Sequence, residues 1–236
     1  MVEGSRAVMS ALQSGTELEA IYFEPSSNDM TNRVFDLATK IGYRLYEVAP
    51  GVLARASDAV TPQAVMAIAS FVDRDIADVE LSSLVVVMVG VRDPGNAGTV
   101  VRSGLAAGAS AVILCDQCVD IYNPKTVRSS AGAFFSTPIA IVDTFDQACQ
   151  QLRSQGYRII GTSSHVSLPY WHENLSGKVA LVLGNEGSGL SEDYWHLLDT
   201  NVTVPIDARA ESLNVGVAAA VLMFEGMRQR MAETSL

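Results

Sequence analysis

Apolar and polar positions alternate in blocks along this chain, and the blocks change period several times. Residues 18–23 (LEAIYF) and 43–48 (YRLYEV) predict strands. Between them Asp29 reads as the cap of a helix that runs to Ile41 and stops at Gly42. A short helix is predicted near 50–57, and the apolar run 63–71 (QAVMAIASF) predicts a strand by its length. The pattern then breaks: Asp73 to Ser83 (DRDIADVELSS) is acidic and polar, and reads as a linker.

A different pattern follows. Leu84–Val89 (LVVVMV) is apolar at every position, as expected of a parallel strand buried on both faces. A Gly/Asn loop and a helix to about Ala107 come next, then a strand at 111–115, a helix around 124–131 and a strand near 138–142. A helix over 144–155 ends at Gly156 and leads into a strand at 157–161. Strands at 178–183 and 201–204 each run into a loop, and a final helix spans about 212–231. Alternating strands and helices predict an α/β fold with a parallel sheet covered on both faces. The expected division is a small α/β domain at 1–75, a linker at 76–82 and a larger domain at 83–236.

Composition narrows the function classes. At 236 residues and 48% apolar the chain can bury a sizeable core. No run of about 18 apolar residues exists, so no membrane helix is expected. The first residues, MVEGSRAVMSALQSG, lack a basic region followed by an apolar stretch, so no signal peptide is expected. The three cysteines, Cys115, Cys118 and Cys149, are an odd number and suit a reducing cytoplasm. Cys115 and Cys118 have metal-ligand spacing, but no second Cys or His pair accompanies them, and no metal is expected. Net charge is −10, with 6 basic and 12 acidic residues in 1–80 and 10 and 14 in 81–236. Such a balance argues against broad, nonspecific nucleic-acid binding, and any RNA contact must come from a few placed arginines.

Three loops carry candidate chemistry. The first, Arg92 to Arg102, follows a buried strand and opens a helix, where backbone N–H groups and the helix dipole favour an anion. The second, Leu183 to Ser191, sets three glycines around Glu186 and ends in a helix-start pattern at Ser191. The third, Val204 to Asn214, leads into the final helix, with Ser212 as the expected N-cap. That helix carries Leu213, Val217, Ala220, Val221, Phe224 and Met227 at spacings of three and four. The stripe reads either as core or as a subunit interface.

Together the loops resemble the three motifs of the SpoU/TrmH family of RNA ribose methyltransferases. Asn96-Ala97-Gly98-Thr99-Val100-Val101-Arg102 resembles N-x-G-x-x-x-R. Leu181 to Leu190 resembles L-x-x-G-x-E-x-x-G-L, and Ser212 to Ala218 resembles S-L-N-V-x-V-A. The resemblance covers about residues 83–236. It implies a parallel sheet with a C-terminal trefoil knot (the SPOUT fold), preceded by a small α/β/α RNA-binding domain. Val2-Glu3-Gly4 with Ala7-Val8 looks like that domain's opening. The family's third loop usually has a glycine soon after the proline, where this chain has Asp207-Ala208-Arg209-Ala210. Relatives often carry a basic helical stretch before the N-terminal domain, which is absent here.

The resemblance further implies an S-adenosylmethionine-dependent enzyme, cytoplasmic, acting as a homodimer on an RNA ribose 2′-hydroxyl, with ribosomal RNA ahead of tRNA. Arg102 is the implied catalytic group, with Asn96 and Glu186 orienting it and Ser212 and Asn214 completing the site. Thr162, Gly184, Val204, Ile206 and Leu213 would hold the donor through their backbone groups. Arg128 is a candidate phosphate contact, or else an ordinary helix-surface arginine. Two rivals differ in class. A dinucleotide-binding enzyme would need G-x-G-x-x-G after its first strand, which the first loop lacks. A catalytically silent RNA-binding scaffold would have lost the arginine or the donor loop, and both are present.

Overall fold

The computed structural model describes residues 1–25 and 29–234. The first unit is a four-stranded mixed sheet in the order β1-β4-β2-β3. Its strands are β1 (Val2–Glu3), β2 (Leu18–Phe23), β3 (Leu45–Glu47) and β4 (Val65–Ala69), and its helices are α1 (Ser5–Gln13), α2 (Asp29–Ile41) and α3 (Val52–Ala56). Val8 and Leu12 of α1 and Val34 and Ala38 of α2 share a core with Ile21, Val65 and Ala67 of the sheet. Asp29 stands inside the first turn of α2, so the cap position lies outside the described residues. Gly42, at φ +100°, ends the helix as expected.

The second unit is a seven-stranded sheet in the order β11-β9-β10-β6-β7-β8-β5, parallel at every pairing. Strand β5 is Asp73–Arg74, β6 Leu84–Val89, β7 Ala109–Cys115, β8 Ile139–Ile141, β9 Arg158–Thr162, β10 Val179–Leu183 and β11 Thr200–Val202. The helices are α4 (Pro94–Ala106), α5 (Pro124–Ser129), α6 (Phe145–Ser154) and α7 (Val215–Thr234). The uniform apolar run of β6 has a direct cause. Leu84, Val86 and Met88 join one core with Val100 and Val101 of α4 and Leu222 and Met223 of α7. Val85 and Val87 point into a second core with Phe145, Ala148 and Leu152 of α6.

Helix starts follow the sequence closely. Asp93, Asn123 and Thr144 each accept a backbone N–H of the turn that follows, and Pro94 and Pro124 occupy the first helical positions. Close packing explains Gly98. A Cβ there would stand 2.5 Å from the Thr126 carbonyl oxygen of α5, so α4 and α5 touch backbone to backbone.

Two expectations change, and one open choice is narrowed. The polar run 73–83 is not a free linker: Asp73 and Arg74 add the edge strand to the large sheet by pairing with Ile139 and Ala140. A single helical turn at Ile76–Asp78 then buries Ile76. The final helix begins at Val215 and not at 212, because Asn214, not Ser212, is its cap: Asn214 Oδ1 accepts Gly216 N at 2.9 Å and Val217 N at 3.2 Å. The apolar stripe is turned partly outward, with Ala220, Val221 and Met227 half-buried. Leu213, Val217 and Phe224 are 39%, 50% and 47% exposed, whereas the helix buries Gly216, Ala219, Leu222, Met223 and Gly226. Among the described residues no helix is long and apolar enough to cross a membrane.

Replacing Gly98 with alanine is expected to lower stability by about 1–3 kcal/mol, since the backbone of α5 must move to admit the methyl group. Urea unfolding followed by circular dichroism measures it; an unchanged midpoint would show that α4 and α5 have slack.

Candidate active site

The C-terminal ends of β6, β9 and β10 lie side by side, and the loops leaving them meet. In a parallel sheet this edge collects helix N-termini with free N–H groups, which makes it the usual place for a ligand. Here several of those N–H groups are already engaged. Glu186, from the loop after β10, accepts Asp93 N at 2.9 Å and Asn96 Nδ2 at 3.0 Å through Oε1, and Arg92 N at 3.1 Å through Oε2. Asn96 Oδ1 in turn accepts Asn214 Nδ2 at 2.8 Å, and Asn214 caps α7. Three loops distant in sequence are thus joined by an unbroken chain of hydrogen bonds: carboxylate, amide, amide, helix.

The electrostatics fit this chain. Burial raises the Glu186 carboxyl, but the bonds from Asn96, Asp93 and Arg92 outweigh it and hold the group below the usual carboxylate range. Asp93 is also held low, first by the Asn96 N–H and then, against partial burial, by Lys125, whose ammonium is 3.1 Å away. Both carboxylates are therefore charged at neutral pH.

Beside the chain lies a cavity of about 540 Å³. Its walls include all five residues expected to hold a donor: Thr162, Gly184, Val204, Ile206 and Leu213. Gly184 is there because nothing larger fits: a Cβ would collide with the backbone of Gly189 and Leu190. The loop between them closes on itself through paired Asn185–Gly189 backbone bonds. Of the five expected catalytic residues, Glu186 and Ser212 line the cavity; Asn96 and Asn214 belong to the chain behind it. Arg102 does neither. It is exposed on α4, outside the cavity walls, and among the described residues its guanidinium makes no hydrogen bond or ion pair. The expected Asn96 and Glu186 contacts to Arg102 are not made, because both side chains are spent on the loops.

Arg128 is placed differently from either expectation. It is neither a free phosphate ligand nor an unengaged surface arginine: Nη1 stands 3.5 Å from Oε2 of Glu3, whose side chain is only 5% exposed. Cys115 and Cys118 both point their Sγ at the Met88 carbonyl, and burial pushes both thiols up, so they stay protonated. Among the described residues no group of three or more His, Cys, Asp or Glu is arranged to hold a metal ion.

Sequence reasoning missed several participants. Asn185 organises its loop: Oδ1 accepts Gly187 N at 2.9 Å and Ser188 N at 3.1 Å, and Nδ2 donates to the Gly90 carbonyl at 2.8 Å. An Asn two residues before a Gly is an Asx-turn signal that would have found it. Asp93 before Pro94 was a legible cap as well. Trp195 and Glu211 also face the cavity, and no local pattern marks either.

Comparison with known proteins gives consistent matches. The model of the SpoU rRNA Methylase family matches residues 83–224, and that of the RNA 2'-O ribose methyltransferase substrate binding domain matches residues 1–73. The chain is 33% identical over 224 residues to the 23S rRNA (guanosine(2553)-2'-O)-methyltransferase RlmP of Bacillus subtilis, covering 95% of this chain and 86% of that protein. It is 31% identical over 236 residues to the 23S rRNA (guanosine-2'-O-)-methyltransferase RlmB of Ralstonia nicotianae, covering 96% and 94%. The crystal structure of the SpoU methyltransferase AviRb from Streptomyces viridochromogenes in complex with AdoMet superposes with a TM-score of 0.86 at 27% identity, covering 98% of this chain and 90% of that one.

The folded pKa of Glu186 lies below its ordinary value of 4.5. Stabilisation by the charged form is therefore complete above that value and is lost as pH falls through the lower folded one. Glu186→Gln is expected to lower the Tm at pH 7 by roughly 2–4 °C. The gap to the unmodified protein should close as pH falls below 4.5 and through the lower folded value. A gap that stays constant across that range would show that the charge does not hold the loops.

Proposed function

We propose, from the premise that this chain belongs to the SpoU rRNA methylase family, that it transfers the methyl group of S-adenosylmethionine to a ribose 2′-hydroxyl of ribosomal RNA. One observation carries this reading: the cavity walled by Thr162, Gly184, Val204, Ile206 and Leu213 stands directly beside the Glu186–Asn96–Asn214 chain. At about 540 Å³ the cavity is in the size range of small-molecule sites. The collision a Cβ would make at Gly184 with the backbone of Gly189 and Leu190 shows that the loop walling the cavity is packed tightly on the end of β10. The donor supplies an electrophilic methyl on a sulfonium. Transfer forms the O–CH3 bond, breaks the S–CH3 bond to leave the neutral thioether S-adenosylhomocysteine, and passes the hydroxyl proton to solvent water.

The residues divide the work. Thr162, Gly184, Val204, Ile206 and Leu213 bind the donor through backbone groups and apolar surface. Glu186, Asn96 and Asn214 are positioning residues that fix the three loops against one another. Ser212, exposed at the cavity wall, offers a hydroxyl to the incoming ribose. Arg102 carries a permanent charge, so it is no base. It holds the phosphate next to the target nucleotide and favours the developing alkoxide.

The reading includes a homodimer and the threaded C-terminal segment of the family. Support for the dimer is an exposed apolar strip formed by Leu213, just before α7, and Val217 and Phe224 on it, at four- and seven-residue spacing. A second copy covering that strip gives Arg102, on the open side of α4, a cavity to serve. Support for the threading is that residues 203–214 are tied to earlier loops at both ends: Thr203 N to the Leu168 carbonyl at 2.8 Å, and Asn214 Nδ2 to Asn96. Ribosomal RNA is favoured over tRNA because RlmP and RlmB, which match nearly end to end, are named for 23S rRNA.

Calorimetry with S-adenosylmethionine and tritium transfer to ribosomal RNA test the reading. Arg102→Ala is expected to leave the donor Kd within about threefold and to lower kcat by about 10²–10³, the size of a lost charge-stabilising donor. Undiminished turnover would remove Arg102 from the site. A map of 2′-O-methylation with and without the gene identifies the nucleotide; an unchanged map would overturn the reading.

A further inference from the structure

The segment from Tyr122 to Gly132, including α5, has contacts that methyl transfer does not use. They reach the first unit or the crossing that leads out of it. Tyr122 Oη accepts Val72 N at 2.9 Å and Asp73 N at 3.0 Å and donates to the Asp73 carboxylate, so the crossing between the two units is pinned at a single phenol. Arg128 faces Glu3, and Glu3 Oε1 is held in turn by Ser57 Oγ at 2.8 Å and Gln63 N at 3.1 Å. Ser10 Oγ of α1 donates to the Gly132 carbonyl at 2.6 Å. The backbone at Ala131 and Gly132 is left-handed, with φ of 51° and 93°. A Cβ on Gly132 would sit 3.1 Å from Ser10 Cβ. Apolar packing agrees: Ala133, Phe134 and Phe135 share a continuous core with Val8 and Leu12 of α1 and with Val100 and Val101 of α4. On its other side the segment bears on the catalytic helix, because Ser129 and Thr126 occupy the space a Cβ on Gly98 would need.

We infer that residues 122–132 form a fixed seat for the N-terminal domain. Through Tyr122 and Glu3–Arg128 this seat sets the distance between the domain that grips RNA and the helix that carries Asn96 and Arg102. The inference rests on the functional reading above. Its consequence is for specificity. With a net charge of −10 the protein has little general attraction for RNA. A rigid frame replaces that attraction with geometry: only an RNA folded so that the gripped element and the target ribose are spaced like the two domains engages both. Tyr122, Glu3 and Arg128 are positioning residues, and the matching substrate is a folded RNA and not a single strand.

The full chain carrying Glu3→Gln and Tyr122→Phe together tests this. Both changes keep shape, and the Tyr122 ring retains its neighbours Phe71 and Phe134. Small-angle scattering of the unmodified protein should fit the docked arrangement, and the double variant should give a larger radius of gyration. Its KM for ribosomal RNA should rise at least about tenfold, with kcat and the donor Kd within about twofold. Glu3→Asp, which keeps the charge, should hold KM nearer the original than Glu3→Gln does. Unchanged scattering and an unchanged RNA KM would overturn the inference, as would a parallel loss of donor affinity. A wild-type chain that binds donor but methylates no RNA would overturn the functional reading instead, and the scattering would still decide the docking.

Discussion

Backbone N–H groups at a helix start have no partner within the helix, and the architecture of this site follows from how two such starts are satisfied. The start of α4 is met twice, by Asp93 from its own cap and by Glu186 from a loop more than ninety residues away. The start of α7 is met by Asn214, whose amide also reaches Asn96. Capping is ordinarily a local matter worth about 0.5–2 kcal/mol. Here it is the means by which three strand ends are brought into one register, and the cavity is the space left beside them.

The large sheet was readable, apart from its edge strand Asp73–Arg74, because the other strands carry their own signatures. An apolar run such as Leu84–Val89 has one interpretation once both faces must be covered, and glycines at 42, 108 and 156 mark helix ends without ambiguity. The site was readable as a set of motifs but not as a set of contacts. Asn96, Glu186 and Asn214 were rightly grouped, yet sequence spacing cannot show that they bond to one another and leave Arg102 alone. Ser212 looked like the cap because serine before an apolar helix usually is one. Asn214 took the role because it stands where one oxygen reaches both Gly216 N and Val217 N.

One misreading and one choice left open have a common cause. The run at 73–83 looked like a linker because it is polar, and the stripe on α7 looked equally like core or interface because it is apolar. Polarity reports average environment and says nothing about hydrogen-bonding geometry. Asp73 and Arg74 need only their main chain to join a sheet edge, and main-chain pairing leaves no trace in composition. The helix buries Gly216, Ala219 and Gly226 together with Leu222 and Met223, and leaves Val217 and Phe224 exposed, a division that apolar spacing alone does not reveal.

The short strand Asp73–Arg74 bears on how chains of this kind exchange parts. In sequence it stands at the end of the first unit, and the family models stop at 73 and resume at 83 around it. In space it covers the flank of β8. Moving residues 83–236 alone would carry the motifs but leave that flank bare, and an unpaired strand edge recruits other chains. A transferable part with its sheet edge covered therefore starts before residue 73. The module that evolution can move is longer than the stretch its motifs define.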